Sequence, residues 1–345
     1  MYKVGICGHF GKDKEFLDGQ TVKTKTLAKV LIHTYGENQV KLIDTYGWKK
    51  KIIHLVIACI RLVKECDNVI ILPAHNGVKV FVPLFDSINK FYRKRLHYSV
   101  IGGWLPQFIQ QNPKLIKKLN RFHSIQVETD VMVKELTELG MQHIYKVPNF
   151  KILRVVNENE LILQKEPPYH LCMFSRITPL KGIENAMKTV HEINKKFGRV
   201  IFKLDIYGWI DDDYKERFNE CMKTYENEVS YKGSVSSSKS VEVIQKYHLL
   251  LFPTEYRTEG IPGTIIDAYF AGVPVVASTW NSATEIIIHN ETGILYDFDD
   301  LEGLKKSLLL LKDQPDLVHR MKHACLKQAK NYSPEYVTSI ITGYL

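Results

Sequence analysis

Two acids separated by seven residues, set among glycines and a proline, form the part of this chain most suited to chemistry. Glu259 and Asp267 lie in Thr254-Glu255-Tyr256-Arg257-Thr258-Glu259-Gly260-Ile261-Pro262-Gly263-Thr264-Ile265-Ile266-Asp267-Ala268. The apolar run Leu249 to Phe252 precedes the segment and a second apolar run ends it, so the acids fall on a loop and helix start between two strands. That is where α/β sheets hold ligands. Gly260, Pro262 and Gly263 let the backbone turn sharply, and Thr264 is placed to open a helix that Gly272 ends and Pro274 forbids from continuing. The free N–H groups of such a helix start favour an anion such as a phosphate. A carboxylate one turn in accepts hydrogen bonds from vicinal sugar hydroxyls, and a nucleotide-sugar offers both groups. A plainer reading of Thr264 to Asp267 is a capping box on an ordinary helix.

A second constellation precedes the first. Leu171 to Phe174 reads as a buried strand, followed by Ser175-Arg176-Ile177-Thr178-Pro179-Leu180-Lys181-Gly182 and a helix with apolar positions Ile183, Met187, Val190 and Ile193. Lys181 therefore sits near a helix N-terminus, where the macrodipole disfavours a cation unless an anion is bound there. Taken alone, Arg176 and Lys181 also read as two solvated cations on a loop.

The segment around Glu259 resembles the signature of the large retaining glycosyltransferase family, glycosyltransferase family 4-like or glycosyl transferases group 1, which uses nucleotide-sugars on a GT-B fold. In that signature two Glu residues separated by seven others precede an Ala-x-Ala-x-Gly-x-Pro-Val-Val run. The resemblance implies that Glu259 contacts the donor sugar and Asp267 the ribose, with Gly260, Gly263 and Thr264 forming the turn and helix start beside them. It also implies that Arg176 and Lys181 clamp the diphosphate: a guanidinium fork and a movable ammonium together neutralise a departing diphosphate without a metal ion. Gly208, ending Leu204-Asp205-Ile206-Tyr207-Gly208, and Val235, ending Val229 to Val235, correspond to the strand ends that border the nucleotide base. Gly5, Gly8 and Gly11 are read as following the first strand, and Gly19, in Asp18-Gly19-Gln20-Thr21, resembles the family's glycine loop facing the donor phosphates. Lys12 to Asp18 reads as a charged insertion forming a mobile lip. Two positions depart from the family: Asp267 replaces the second Glu, and Ile101 stands where many relatives carry a His. His75 and His97 are then structural or acceptor-side.

The elements that must position these residues alternate along the chain. The first half reads strand 2–7, helix from about 20, strand 39–44, helix from 53, strand 68–73, a mixed segment, strand 96–101, helix 111–119, strand 122–127 and helix 129–139. The second half repeats the scheme from 168, which implies an α/β fold with two doubly wound parallel sheets; the resemblance implies that these are the two Rossmann-like domains of a GT-B fold, facing a cleft. The expected domains are 1–160 on the acceptor side, 161–330 for the nucleotide-sugar, and a C-terminal helix in 331–345 that returns to the first. Tyr145 to Phe150 corresponds to the crossing point, with the polar stretch Asn157 to Pro168 as junction.

Composition bounds the rest. The 345 residues are 45% hydrophobic and 25% charged, which excludes a disordered chain. Six cysteines lie far apart without a C-x-x-C pair, the pattern of reduced thiols in a cytoplasmic protein, and no metal site is expected. Apolar runs such as Ile52 to Ile60 are too short to span a membrane, and no secretory leader is expected. Residues 1–150 carry 23 Lys and Arg against 12 Asp and Glu, while 151–345 carry 24 against 26. Lys49 to Lys51, Lys90 to Arg95 and Lys114 to Lys118 mix cations with apolar residues, which favours an anionic membrane surface over nucleic acid, with a plain solvated face competing with both. The expected function is transfer of a sugar, with UDP as the expected carrier, to a glycan or lipid-linked acceptor hydroxyl with retention, without a separate cofactor, in surface-polysaccharide or lipid-linked glycan synthesis. A nucleotide-sugar epimerase and a non-catalytic lipid- or polymer-binding module fit the same scaffold.

Overall fold

The structure, a computed structural model, describes residues 1–12 and 18–345. The expected lip between Lys12 and Asp18 therefore lies, apart from its two ends, outside the described residues. Two compact units divide the chain: residues 1–152 with 332–345, and residues 153–331. In the first, strands β1 (Tyr2–Gly8), β2 (Val40–Asp44), β3 (Cys66–Ile71), β4 (Arg95–Ser99), β5 (Ser124–Val127) and β6 (Ile144–Lys146) are all parallel. Their order is β2-β1-β3-β4-β5-β6. Helices α1 (Gly19–Tyr35), α2 (Ile52–Glu65), α3 (His75–Tyr92), α4 (Leu105–Gln111), α5 (Ile116–Leu119) and α6 (Asp130–Glu138) connect them.

The second unit holds β7 (Tyr169–Phe174), α7 (Ile183–Phe197), β8 (Phe202–Tyr207), α8 (Lys215–Thr224), β9 (Val229–Tyr231), α9 (Ser240–Ile244), β10 (Leu249–Phe252), α10 (Gly263–Phe270), β11 (Val275–Ser278), α11 (Ala283–Ile286), β12 (Gly293–Tyr296), α12 (Leu301–Asp313) and α13 (Pro315–Ala329). Its sheet is also parallel, in the order β12-β11-β10-β7-β8-β9. Read from the other edge this is the dinucleotide-binding order, with its reversal between β7 and β10; the first sheet reverses between β1 and β3. Strands buried on both faces by helices need continuous apolar runs, and Leu249 to Phe252 and Val275 to Ala277 supply them, all at 5% exposure or less. The last helix, α14 (Pro334–Thr342), belongs to the first unit. Its Val337 and Ile341 pack with Val4, Ile6, Leu27 and Leu31.

Several expectations are corrected. The predicted helix 111–119 is broken at Asn112-Pro113 into α4, a tight turn at Pro113–Leu115 and α5, because proline lacks the N–H and keeps the preceding residue out of helical geometry. The mixed segment is α3, eighteen residues with Pro83 inside it. Gly5 and Gly8 lie within β1 rather than after it. The chain passes between the units at Ile152 and Leu153, ahead of the expected junction. Residues 153–160 join the second unit, where the Val156 N–H donates to the Phe270 carbonyl. Thr264 does not open α10: Pro262 is the cap, Gly263 the first residue, and no side chain caps the helix, so the capping-box reading fails.

Candidate functional site

The reversal between β7 and β10 brings two of the chemically suited residues together. After β7 the chain makes a tight turn, Pro179–Lys181, before Gly182 caps α7. A Cβ at Gly182, whose φ is +65°, would sit 1.9 Å from the Pro253 carbonyl oxygen, so only glycine lets this turn lie against the end of β10. The Lys181 Nζ therefore reaches Glu259 Oε1 at 2.5 Å. Thr254 donates its hydroxyl to the same carboxylate oxygen at 3.1 Å, and Ser282 donates to the Glu259 carbonyl at 3.2 Å. Ser278, at the end of β11, donates to the Thr254 carbonyl at 2.6 Å. Side-chain exposures of 23% for Lys181 and 13% for Glu259 leave the pair accessible yet partly shielded, which strengthens charge interactions with whatever enters.

The helix that follows offers donors. Gly263 and Thr264 lie in its first turn, where backbone N–H groups have no intrahelical acceptor, and the Thr264 hydroxyl has no hydrogen-bond partner among the described residues. Asp267 lies one turn in and is 3% exposed. Gly260 is buried in the intervening loop. Neighbouring Glu255 accepts from the Asn185 amide at 2.7 Å; burial and then the charges of Asp299 and Glu184 hold its pKa above the ordinary carboxylate range.

Arg176 is placed differently. Its Nη2 donates to both carboxylate oxygens of Asp211, at 2.6 and 2.7 Å, and the guanidinium lies over the Trp209 ring at 5.2 Å. Gly208 sits beside it at the end of β8: at φ +143° a Cβ there would be 1.7 Å from the Ser175 carbonyl oxygen. Val235 lies in the loop after β9, half-buried. Gly19 belongs to the other unit and is the first residue of α1, which Asp18 caps by accepting from the Thr21 N–H at 3.0 Å. Sequence reasoning did not single out Thr254, Asp211 or Trp209. Thr254 was legible as the polar residue two positions after β10, whereas Asp211 and Trp209 carry no local pattern.

The first unit has its own opening at its own reversal. A cavity of about 510 Å³ lies beyond the ends of β1, β2 and β3, lined among others by His9, Tyr46, Trp48, Lys49, Lys50 and His75. Next to the lining residue Thr45, the Asp44 carboxylate accepts N–H bonds from Phe10, Lys12 and Tyr46; burial pushes its pKa up, but the backbone donors outweigh that and hold it below the ordinary range. His75 also packs against Trp104 and Phe108. His97 is fully buried between Ser124 and Asn68, a structural role.

Residues 157–328 match the family Glycosyl transferases group 1. A relative described as an uncharacterized glycosyltransferase of Haemophilus influenzae is 22% identical over 323 residues, covering 91% of this chain and 85% of its own length. Another, of Methanocaldococcus jannaschii, is 24% identical over 176 residues, 50% of this chain, and the match spans only 44% of that protein. In three dimensions the crystal structure of Anabaena HepE in complex with UDP-glucose is similar at a TM-score of 0.75 and 14% identity, covering 99% of both chains. At that identity the likeness is one of fold, and the fold is GT-B.

Proposed function

We propose that this chain, which through residues 157–328 belongs to the glycosyl transferases group 1 family and has the GT-B fold, moves a sugar from a UDP-sugar to an acceptor hydroxyl with retention of anomeric configuration. The observation that carries the reading is the Lys181–Glu259 pair at the β7/β10 reversal, beside the uncapped start of α10. A diphosphate lying along that helix start meets the N–H groups of Gly263 and Thr264 and draws the Lys181 ammonium toward itself. Glu259, released in part from Lys181, accepts hydrogen bonds from the donor sugar, and Asp267 holds the ribose. Arg176 joins the clamp by exchanging the Asp211 carboxylate for the diphosphate, another anion that accepts charge-assisted hydrogen bonds from a guanidinium. Gly208 and Val235 border the base.

Charge that develops on the leaving diphosphate is then met by fixed donors and two cations rather than by a metal ion, and no separate cofactor takes part. The leaving phosphate oxygen takes the acceptor proton on the same face of the sugar, which accounts for retention. The excess of cations in residues 1–150 supports a lipid-linked acceptor at an anionic membrane surface.

Thermal unfolding with UDP, GDP, ADP, CDP and dTDP in the presence of EDTA tests the reading. UDP at 100 times its dissociation constant is expected to add about 2.7 kcal/mol of stability. No shift with any nucleotide, or one that requires magnesium or manganese, overturns the clamp. Incubation with UDP-glucose alone, analysed for an epimer, separates the epimerase.

A further inference from the structure

The helix after the aromatic cavity is unusual in what it turns outward. On α2, Leu55, Cys59, Leu62 and Val63 face the core, while Ile53, Ile57 and Ile60 lie on the opposite side at the spacing of one helical face. Ile53 is 71% exposed, Ile57 45% and Ile60 37%. Ile52, at the start of the helix, is 47% exposed as well. Scattered exposed isoleucines are ordinary; a contiguous stripe of them on one helix is not.

Charge frames that stripe with one sign only. Lys49, Lys50 and Lys51 precede it and Arg61 and Lys64 flank its far end, so residues 49–64 contain five cations and no acid. An outward apolar stripe bordered by lysine and arginine is the composition of a helix lying in the interface of an anionic bilayer, its apolar face in the acyl boundary and its cations at the headgroups. A second copy of the chain is a poorer occupant, because a symmetric contact sets these cations against themselves. A nucleic acid would match the cations and leave the isoleucines in water.

We propose that the outward face of α2, centred on Ile53, Ile57 and Ile60, inserts into an anionic lipid surface. This deepens the reading of a membrane-borne acceptor by naming the segment that meets the membrane. Lys49 and Lys50 both begin the cationic frame and line the cavity at the β1/β3 reversal, so the inserted face and the cavity mouth are continuous. The basic segment after α3 is a weaker candidate: the Lys94 ammonium is already 3.6 Å from Asp67 and only 19% of its side chain is exposed.

The full chain is sedimented with vesicles of equal parts phosphatidylglycerol and phosphatidylcholine, and with phosphatidylcholine alone, at low and high salt. The parent is expected to bind the anionic vesicles preferentially, with binding that falls as salt rises. A variant carrying Ile53→Glu and Ile57→Glu, both at exposed sites, is expected to lose about tenfold or more of that binding, and Lys49→Ser, Lys50→Ser, Lys51→Ser together to lose as much. Arg93→Ser is expected to change little. Unfolding midpoints and UDP-induced shifts equal to the parent's confirm that the glutamate variant is folded. Equal binding to both vesicle types, no binding, or a glutamate variant that sediments like the parent overturns the inference. So does a parent dimer by light scattering that the glutamate variant converts to monomer while vesicle binding persists. Vesicle binding without any nucleotide shift leaves this inference standing and removes the donor reading; a nucleotide shift without vesicle binding does the reverse.

Discussion

Where the second sheet reverses, at β7 and β10, backbone meets backbone; where the first reverses, at β1 and β3, side chains fill the space. Gly182 and Gly208 face carbonyl oxygens too near for any Cβ, whereas Gly19 and Gly47 have nothing within 4 Å. The second unit thus sets Lys181 and Glu259 by interlocking loops, and the first lines its cavity with Tyr46, Trp48 and His75. A site made by backbone clearance tolerates few sequences and leaves glycines at fixed spacing. A site made by side chains can change its rings one at a time, as selection of different acceptors would demand.

The largest effect expected to sharpen this contrast is at the glycines. Gly208→Ala and Gly182→Ala should each destabilise by more than about 3 kcal/mol, since a facing carbonyl must move. Gly47→Ala, at φ +68° in open space, should cost only about 1–2 kcal/mol. Urea unfolding measures all three, and equal losses would dissolve the distinction.

Buried lysines divide the units in a similar way. In the first unit Lys23 is paired with Glu128 at 2.5 Å and donates to the Val100 carbonyl at 2.7 Å. In the second, Lys322 is 1% exposed and, among the described residues, donates only to the Tyr247 carbonyl, at 3.2 Å. Burial lowers the Lys322 pKa to about 8 from 10.5. The folded state therefore resists the charged form, a penalty fully present below about pH 8 and gone above 10.5, worth about 3 kcal/mol. Lys322→Met should stabilise the protein at neutral pH and flatten the rise of stability in that alkaline window. Lys23→Met should instead destabilise by about 3–5 kcal/mol, because it strips the ammonium from a buried carboxylate. If both variants move stability in the same direction, pairing is not what separates the two.

Next in size are the histidines. Burial lowers both His97 and His248 to about 3, helped by the charges of His123 and Arg95 for the first and of Lys322 for the second. A depressed folded pKa means stability that is present above the ordinary 6.5 and lost as pH falls toward 3. His97 bonds Ser124 and Asn68, whereas His248 has neither ring nitrogen partnered among the described residues and stacks on Tyr169 at 4.6 Å. His248→Phe should recover about 2 kcal/mol at about pH 5 with little change near neutrality. His97→Phe should cost stability near neutrality, because it abandons two buried partners, with the loss shrinking as pH falls below 6.5 since the same titration is removed.

The smallest shift in free energy is expected at Glu259. Glu259→Gln should leave UDP-induced stabilisation intact and lower turnover about tenfold, equivalent to about 1.4 kcal/mol of barrier. Asp267→Asn should weaken UDP binding, and Asp267→Glu should be tolerated. Steady-state kinetics beside nucleotide titration decides, and equal small effects at both acids would remove their assigned roles.

Legibility in the sequence followed the same division. Strands β7, β10 and β11 of the second unit could be read because their apolar runs are uninterrupted, and Lys181 and Glu259 could be placed on the loops after β7 and β10, though not as an ion pair. Arg176's tie to Asp211 could not be read, since the partner sits 35 residues away with no spacing rule linking them. In the first unit α3 was obscured by Pro83, which reads as a helix breaker, and the outward stripe of α2 was hidden inside a run that is apolar on both faces. Its orientation is decided by which side meets β3, a tertiary fact.

The return of α14 bears on how the chain is made. Val337 and Ile341 complete a core begun by Val4 and Ile6, yet the whole second unit, residues 153–331, is synthesised in between. At about 5–20 residues per second, that interval is roughly ten to forty seconds. During it the apolar flank of β1 and α1 waits without its last helix, while the second unit, continuous in sequence, can fold as it emerges. The unit begun first is therefore the one closed last, and its open seam is where a ribosome-bound chain is most exposed to aggregation.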